Sequence, residues 1–177
     1  MPLKVAILED NLDRQGRMQA WLNDRLYMYE HFFFDEAQPL IQWLRQNLGE
    51  TLVISLDHDL DLKPSADGRW LDAGTGREVA DFLANQAAAC PVVIHSTNYD
   101  AVLGMESVLT ESGWHVAKVQ PYGDLAWIDE AWWPLVKEQL RLPRRGPART
   151  VPVPPRLDSV PEGDASPHTI SPSGQPR

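Results

Sequence analysis

Leu52-Val53-Ile54-Ser55-Leu56-Asp57-His58-Asp59-Leu60 contains the strongest statement the chain makes about its own architecture. Leu52 to Leu56 shows no polar–apolar alternation and is too short for a helix. Such a run reads as a strand buried on both faces, the kind found inside a parallel sheet. It then breaks into Asp57-His58-Asp59, so three ionisable side chains arrive together at the end of a buried strand.

The same unit recurs on either side. Lys4 to Leu8 is another short apolar run and ends in Glu9-Asp10-Asn11. Pro91 to Ile94 ends in His95-Ser96-Thr97-Asn98. Tyr29 to Phe34 is aromatic and β-rich, and Trp114 to Val119 is a fifth strand, ending at Gln120-Pro121. Between them lie helical patterns. Leu12, Met18, Trp21, Leu22 and Leu26 recur at helical spacing, with Arg14, Arg17, Asn23 and Asp24 on the polar face. Asp35 is placed to cap a helix over Glu36 to Leu48, which Gly49 ends. A polar stretch from Asp61 to Gly76 precedes a helix from about Arg77. Two more helices are expected over Ala101 to Ser112 and Ile128 to Leu140. Five alternations of strand and helix call for an α/β domain with a doubly wound, five-stranded parallel sheet and helices on both faces.

Composition narrows the function. The formal net charge of -9 repels polyphosphate backbones and argues against general nucleic-acid binding. The cluster Arg141, Arg144, Arg145 and Arg149 falls in Pro-rich sequence and reads as a solvated linker. From Leu142 onward, nine of the 15 prolines gather with Ser, Gly and Arg and without apolar periodicity. The expectation is a domain over 1–141 and a disordered tail over 142–177. A single cysteine, Cys90, permits no internal disulfide and is expected as a small buried hydrophobe. The first apolar run is too short for a signal-peptide core or a membrane span, so a cytoplasmic location without membrane association is expected.

In open sheets of this kind ligands bind beyond the carboxyl ends of the strands, where the strand order switches. Glu9 and Asp10, then Asp57 and Asp59 with His58, then His95, Ser96 and Asn98 all arrive at that edge. Singly, each has an ordinary explanation: a turn, a helix cap or a satisfied core histidine. Together, acids from two strands repel unless a cation holds them, and hard oxygen ligands suit Mg²⁺ or Mn²⁺.

The arrangement resembles the receiver domain of two-component response regulators over Lys4 to about Leu140. Glu9 and Asp10 match that family's acidic pair, Asp57 its phosphoacceptor, Ser96 its hydroxyl residue and Pro121 its proline. The family's lysine is replaced by Gln120, with Lys118 two positions earlier. The resemblance implies a receiver-like sheet of order 2-1-3-4-5. The combination of Asp57-His58-Asp59, Gly74-Thr75-Gly76 and His95-Ser96-Thr97-Asn98 is similar to a divergent group, the cyclic-phosphate processing receiver domain. It implies action on cyclic phosphate ends or nucleotides.

The expected activity is therefore a metal-dependent phosphoesterase of the cyclic phosphodiesterase type. Glu9, Asp10 and Asp57 would hold Mg²⁺ or Mn²⁺. Asp57, His58, Asp59 and His95 would carry the catalysis, the histidines titrating near working pH. Thr75 and Gly76, ahead of a helix, and Ser96 and Asn98 would bind phosphate oxygens. Tyr122 or Trp127 could stack on a ring of a nucleotide substrate. Adjacent side chains on a regular strand point to opposite faces, so one of the histidines should pack below the site. The rival readings are a signalling module phosphorylated on Asp57, an inert receiver binding a protein partner or second copy through its last strand and helix, and a phosphatase of the haloacid dehalogenase kind. That last reading shares the Asp-x-Asp spacing but places it after the first strand.

Overall fold

The apolar runs and amphipathic segments become layers in a computed structural model that describes residues 3–65 and 67–142. The chain runs through β1 (Lys4–Leu8), α1 (Leu12–Arg25), β2 (Glu30–Phe34), α2 (Ala37–Asn47) and β3 (Thr51–Leu56). Two short strands follow, β4 (Lys63–Pro64) and β5 (Trp70–Leu71), then α3 (Gly76–Ala84), β6 (Val92–His95), α4 (Tyr99–Glu111) and β7 (Val116–Val119). A π-helical turn, Ile128–Trp132, leads into α5 (Trp133–Gln139).

The sheet has the order β2-β1-β3-β6-β7, all neighbours parallel, which is order 2-1-3-4-5 among its own five strands. Alternation sorts the central strands into two cores. Val5, Ile7, Val53 and Val93 face Met18 and Leu22 of α1 and Trp133 and Val136 of α5. Ala6, Leu8, Ile54, Leu56, Val92 and Ile94 face α2, α3 and α4 through residues such as Leu40, Leu44, Val79, Leu83 and Met105. Both faces are buried, which is why the strand sequences do not alternate. Cys90 lies in the second of these cores.

Several local expectations change. The polar stretch after Asp61 folds back on itself as the antiparallel pair β4–β5, with Ser65 N–H donating to Arg69 O at 2.7 Å. Asp35 does not cap α2. Glu36 holds that position without a side-chain bond, and the N–H of the buried Ala37 donates instead to Ala73 O at 2.8 Å. The Asp35 carboxylate pairs with Lys63 of β4. Helix α4 starts at Tyr99, two residues early, because Asn98 caps it. Trp114 precedes β7 and anchors its indole N–H on Leu83 O at 2.9 Å.

The expected final helix divides in two for a reason in its sequence. Pro134 lacks the N–H that would bond Glu130, and its ring crowds that carbonyl. The backbone widens ahead of it, and Trp133 N–H reaches back five residues to Ile128 O. The tail, with Arg144, Arg145 and Arg149, lies outside the described residues except for Leu142. Among the described residues no helix is long and apolar enough to cross a membrane.

Candidate functional site

Register builds the centre of the site. Ile7 of β1 pairs with Ser55 of β3, which pairs with Val93 of β6. Two residues further along each strand, the next side chains on that face are Glu9, Asp57 and His95. Glu9 and His95 are fully buried and Asp57 is 4 % exposed. One ligand atom from each lies within 4.8 Å of the others. His95 Nε2 stands 3.3 Å from Glu9 Oε2, an ion-pairing distance. The two atoms lack the alignment of a hydrogen bond, and neither has another partner.

Beneath them runs a buried relay. Trp132 Nε1 donates to Ser55 Oγ at 2.9 Å, and Ser55 Oγ lies 3.0 Å from His95 Nδ1. An indole can only donate, so Ser55 accepts there, while toward His95 Nδ1 its oxygen can donate or accept according to the ring's tautomer. Trp127 stacks on the imidazole with centroids 5.7 Å apart.

Charge balance in this row depends on a residue the sequence pattern did not single out. Arg14 Nη1 lies 3.7 Å from Glu9 Oε1 and 3.5 Å from Asp57 Oδ2. It gets there because Asn11 caps α1, accepting from Asp13 N and Arg14 N, so the first helical turn faces back over the strand ends. The convergent acids therefore already hold one cation of the chain's own. Burial alone pushes Glu9 up, but the His95 ring, the Asn11 N–H at 3.0 Å and Arg14 outweigh it, and its carboxyl falls below the usual range. For Asp57 burial prevails. With Glu9's charge adding to it, and despite His95, the His58 N–H and Arg14, its carboxyl is pushed up to about 6.

Above the row opens a pocket of about 240 Å³, lined by Asp10, Asp57, Asp59, Asp61, Arg14 and Ser96, with Pro121 at its edge. Of the expected metal ligands, Glu9 and Asp57 are in the buried row. Asp10 lines the pocket, where its Oδ2 accepts the Asp61 N–H at 2.5 Å. His95 stands where a third ligand would. As the alternation argument requires, it packs below the site while Ser96 turns to the pocket. His58 does not line the pocket, and its Nδ1 lies 2.7 Å from Oδ1 of the pocket residue Asp59.

The expected anion donors are mostly spent within the protein. Gly76 N–H donates to His58 O at 3.1 Å, and a Cβ there would stand 2.1 Å from Asp57 O. Gly76 is a close-approach glycine between α3 and the end of β3. Thr75 N–H bonds Glu78 Oε1 at 3.2 Å, the reciprocal half of a capping box. Neither residue reaches the pocket. Asn98 caps α4 through Ala101 N and steadies Asp59 by an Nδ2 contact of 3.3 Å. Trp127 is fully buried and cannot stack on a substrate ring, and the Tyr122 hydroxyl donates to Glu130. Lys118 pairs with Glu106 on α4, and Gln120 lines a neighbouring groove with Tyr99 and Leu103.

Arg14, Ser55 and Trp132 escaped the sequence reading. Ser55 carried a signal, since it is the only hydrogen-bonding side chain from Leu52 to Leu56, a run buried on both faces.

Similarities to known proteins agree with this geometry. The chain is similar to the phosphorylated cyanobacterial phytochrome response regulator RcpA, with 18% identity, a TM-score of 0.64, 82% of this chain and 100% of that one covered. It is similar also to a response regulator receiver domain from Rhodospirillum rubrum, with 13% identity, TM-score 0.60, and 82% and 99% covered. The response regulator domain of Thermotoga maritima CheB aligns at 11% identity, TM-score 0.57, with 81% and 99% covered. At these identities the likeness concerns the fold. No curated protein matches the chain in sequence. Residues 18–111 match the model of the cyclic-phosphate processing receiver domain, a span holding Asp57, His58, Asp59, His95 and Ser96. A match over more than half of the chain, on a receiver sheet, places this chain in the cyclic-phosphate processing receiver domain family.

Proposed function

We propose that the chain is a metal-assisted phosphoesterase that opens a cyclic phosphate or a related phosphate ester of a nucleotide. One observation carries this reading: a buried row of two carboxylates and an imidazole, with two inward atoms unpartnered, lies directly under an open pocket that presents Arg14 and Ser96. A Mg²⁺ or Mn²⁺ ion held by Glu9 and Asp57, with Asp10 at the pocket edge, would neutralise phosphate charge and polarise a P–O bond.

The chain's own groups do the rest. Arg14, about a third exposed, offers guanidinium N–H donors to two non-bridging oxygens, as bidentate arginine does for phosphate. The Ser96 hydroxyl donates to one of the same two oxygens. Asp59, half-exposed and steadied by Asn98, takes a proton from the attacking water, and the hydrogen-bonded His58–Asp59 couple returns it to the leaving oxygen. One water is consumed, a cyclic diester becomes a monoester with a free hydroxyl, and no proton is left over. His95, sealed beneath the pocket, takes no proton from substrate.

The test is turnover of bis(4-nitrophenyl) phosphate with Mg²⁺ or Mn²⁺ and with EDTA. The expectation is metal-dependent release of nitrophenolate that falls at least 100-fold in Asp59→Asn. Release unaffected by EDTA would overturn it.

A second reading keeps Asp57 as a phosphoacceptor. The favouring observation is its place at the end of the central strand, in a fold shared with a phosphorylated response regulator. Against it, Lys118 is tied to Glu106 and Gln120 points into the adjoining groove. Acetyl phosphate would then add one phosphoryl mass to the wild type and none to Asp57→Asn.

A further inference from the structure

The buried row is not an all-oxygen set. We infer that Glu9 Oε2, Asp57 and His95 Nε2 form a mixed nitrogen–oxygen cation site selecting a borderline transition ion, of the Co²⁺ or Zn²⁺ class, over Mg²⁺. The inference deepens the metal-assisted reading and rests on it for its biological use.

Four features of the chain support it. Glu9 Oε2 and His95 Nε2 are fully buried, face each other at 3.3 Å and have no hydrogen-bond partner, an arrangement costly to keep unless something is received between them. The other face of His95 is built as the support of a ligating histidine usually is. Its Nδ1 meets Ser55 Oγ, itself held by Trp132. Ser55 Oγ can accept from both Trp132 Nε1 and His95 Nδ1–H, and in that tautomer the Nε2 lone pair faces inward.

The third feature is a division of labour within Glu9. Oε1 takes the Asn11 N–H and faces Arg14, whereas Oε2 is bare, so Arg14 can keep its place while an ion is bound. The fourth is burial. Mg²⁺ dehydrates reluctantly, keeps several waters and prefers oxygen, whereas imidazole suits Zn²⁺ and its neighbours. Glu9 and His95 are at 0% exposure and Asp57 at 4%, and of the three Asp57 lines the open pocket. Asp10, which would make the set all-oxygen, stays out of the row and holds the Asp61 amide.

The experiment titrates the full chain with MgCl₂, MnCl₂, CoCl₂ and ZnCl₂ by calorimetry. Echo-detected spin resonance on the Mn²⁺-loaded wild type then reads ¹⁴N coupling from a bound imidazole without any substitution. Expected are Co²⁺ and Zn²⁺ affinities at least 100-fold above that of Mg²⁺, and a clear ¹⁴N coupling. His95→Gln should lose at least 100-fold for Co²⁺ with Mg²⁺ changed less than three-fold. Ser55→Ala, a milder change, should lose about ten-fold for Co²⁺. Mg²⁺ binding as tightly as Co²⁺, or Mn²⁺ without ¹⁴N coupling, overturns the inference while leaving the esterase reading intact. Selective, nitrogen-coupled binding without hydrolysis of any cyclic phosphate upholds the inference and sinks the esterase reading. No metal binding at all overturns both.

Discussion

Asp57 and Glu9 share a buried row yet are pushed in opposite directions, and that difference sets how the metal-free protein answers to pH. Burial raises Asp57 to about 6 from 3.8. Between those values the folded state keeps a proton that the unfolded chain has released, so stability falls as pH rises through that window. By neutral pH the ionised carboxylate costs on the order of 3 kcal/mol, before the loss of its contacts is counted. In EDTA, Asp57→Asn should therefore be more stable than wild type in urea melts at pH 7.5, by about 1–3 kcal/mol. The gain should shrink to nothing near pH 4. An equal gain across that range would contradict the account. Glu9, lowered chiefly by His95 against its burial, has the opposite sign. Its contribution is present above the ordinary carboxylate range and lost on acidification, so Glu9→Gln should destabilise at pH 7.5 and less so in acid. Arg14 makes a separate claim, on binding. Arg14→Gln should raise KM for a phosphodiester at least ten-fold, with a smaller fall in kcat, if its guanidinium receives the phosphate. An unchanged KM would reduce Arg14 to a counter-ion for Glu9 and Asp57.

Elements rather than single residues decide which side chains meet. Helix α3 comes so close to the end of β3 that a Cβ on Gly76 would stand 2.1 Å from the Asp57 carbonyl oxygen, which is main chain and cannot swing aside. Gly76→Ala should cost roughly 2–4 kcal/mol in chemical unfolding and weaken metal binding together with it, because Asp57 moves with its backbone. The π-helical turn has a comparable grip from the other face. Asp129 within it is held by Arg17 and Trp21 of α1, and Trp132 reaches Ser55. Trp132→Phe should keep the packing but loosen His95, lowering Co²⁺ affinity several-fold with a stability loss of about 1–2 kcal/mol. Strands were the legible part of this level, because residues 5–8 and 52–56 show no polar–apolar alternation, with Ser55 the one polar residue among them, as strands covered on both faces do. The helix ends were harder. Asn98 looks equally like a phosphate ligand and a cap, and only the position of Ala101 N decides between them. Arg14 was hidden because its direction depends on the phase of α1, fixed by the Asn11 cap rather than by any pattern around Arg14 itself. The turn before Pro134 follows from proline chemistry that a helical periodicity passes over.

On the scale of the whole molecule, a receiver sheet supplies the frame, and three strands in register bring Glu9, Asp57 and His95 into one row. That row was half legible in the sequence. The acids at strand ends pointed to the correct edge, but which of Asp10, His58 and His95 would join them depends on strand parity and on where each strand stops. Parity put His95 under the sheet edge and left Asp10 in the pocket wall. A chain ending at residue 142 should melt and bind metal as the full chain does, if the domain closes where its periodicity ends. A lowered midpoint would assign the tail a part in the fold. The central claim is that the pocket opens cyclic phosphates with a metal held at Asp57. Phosphorus NMR tests it most directly, with a nucleoside 2′,3′-cyclic phosphate incubated with wild type or Asp57→Asn, in Mn²⁺ or in EDTA. The account predicts that the cyclic resonance gives way to a monoester only with wild type and metal. A cyclic resonance that persists with every divalent ion, or that disappears equally with Asp57→Asn, would contradict it.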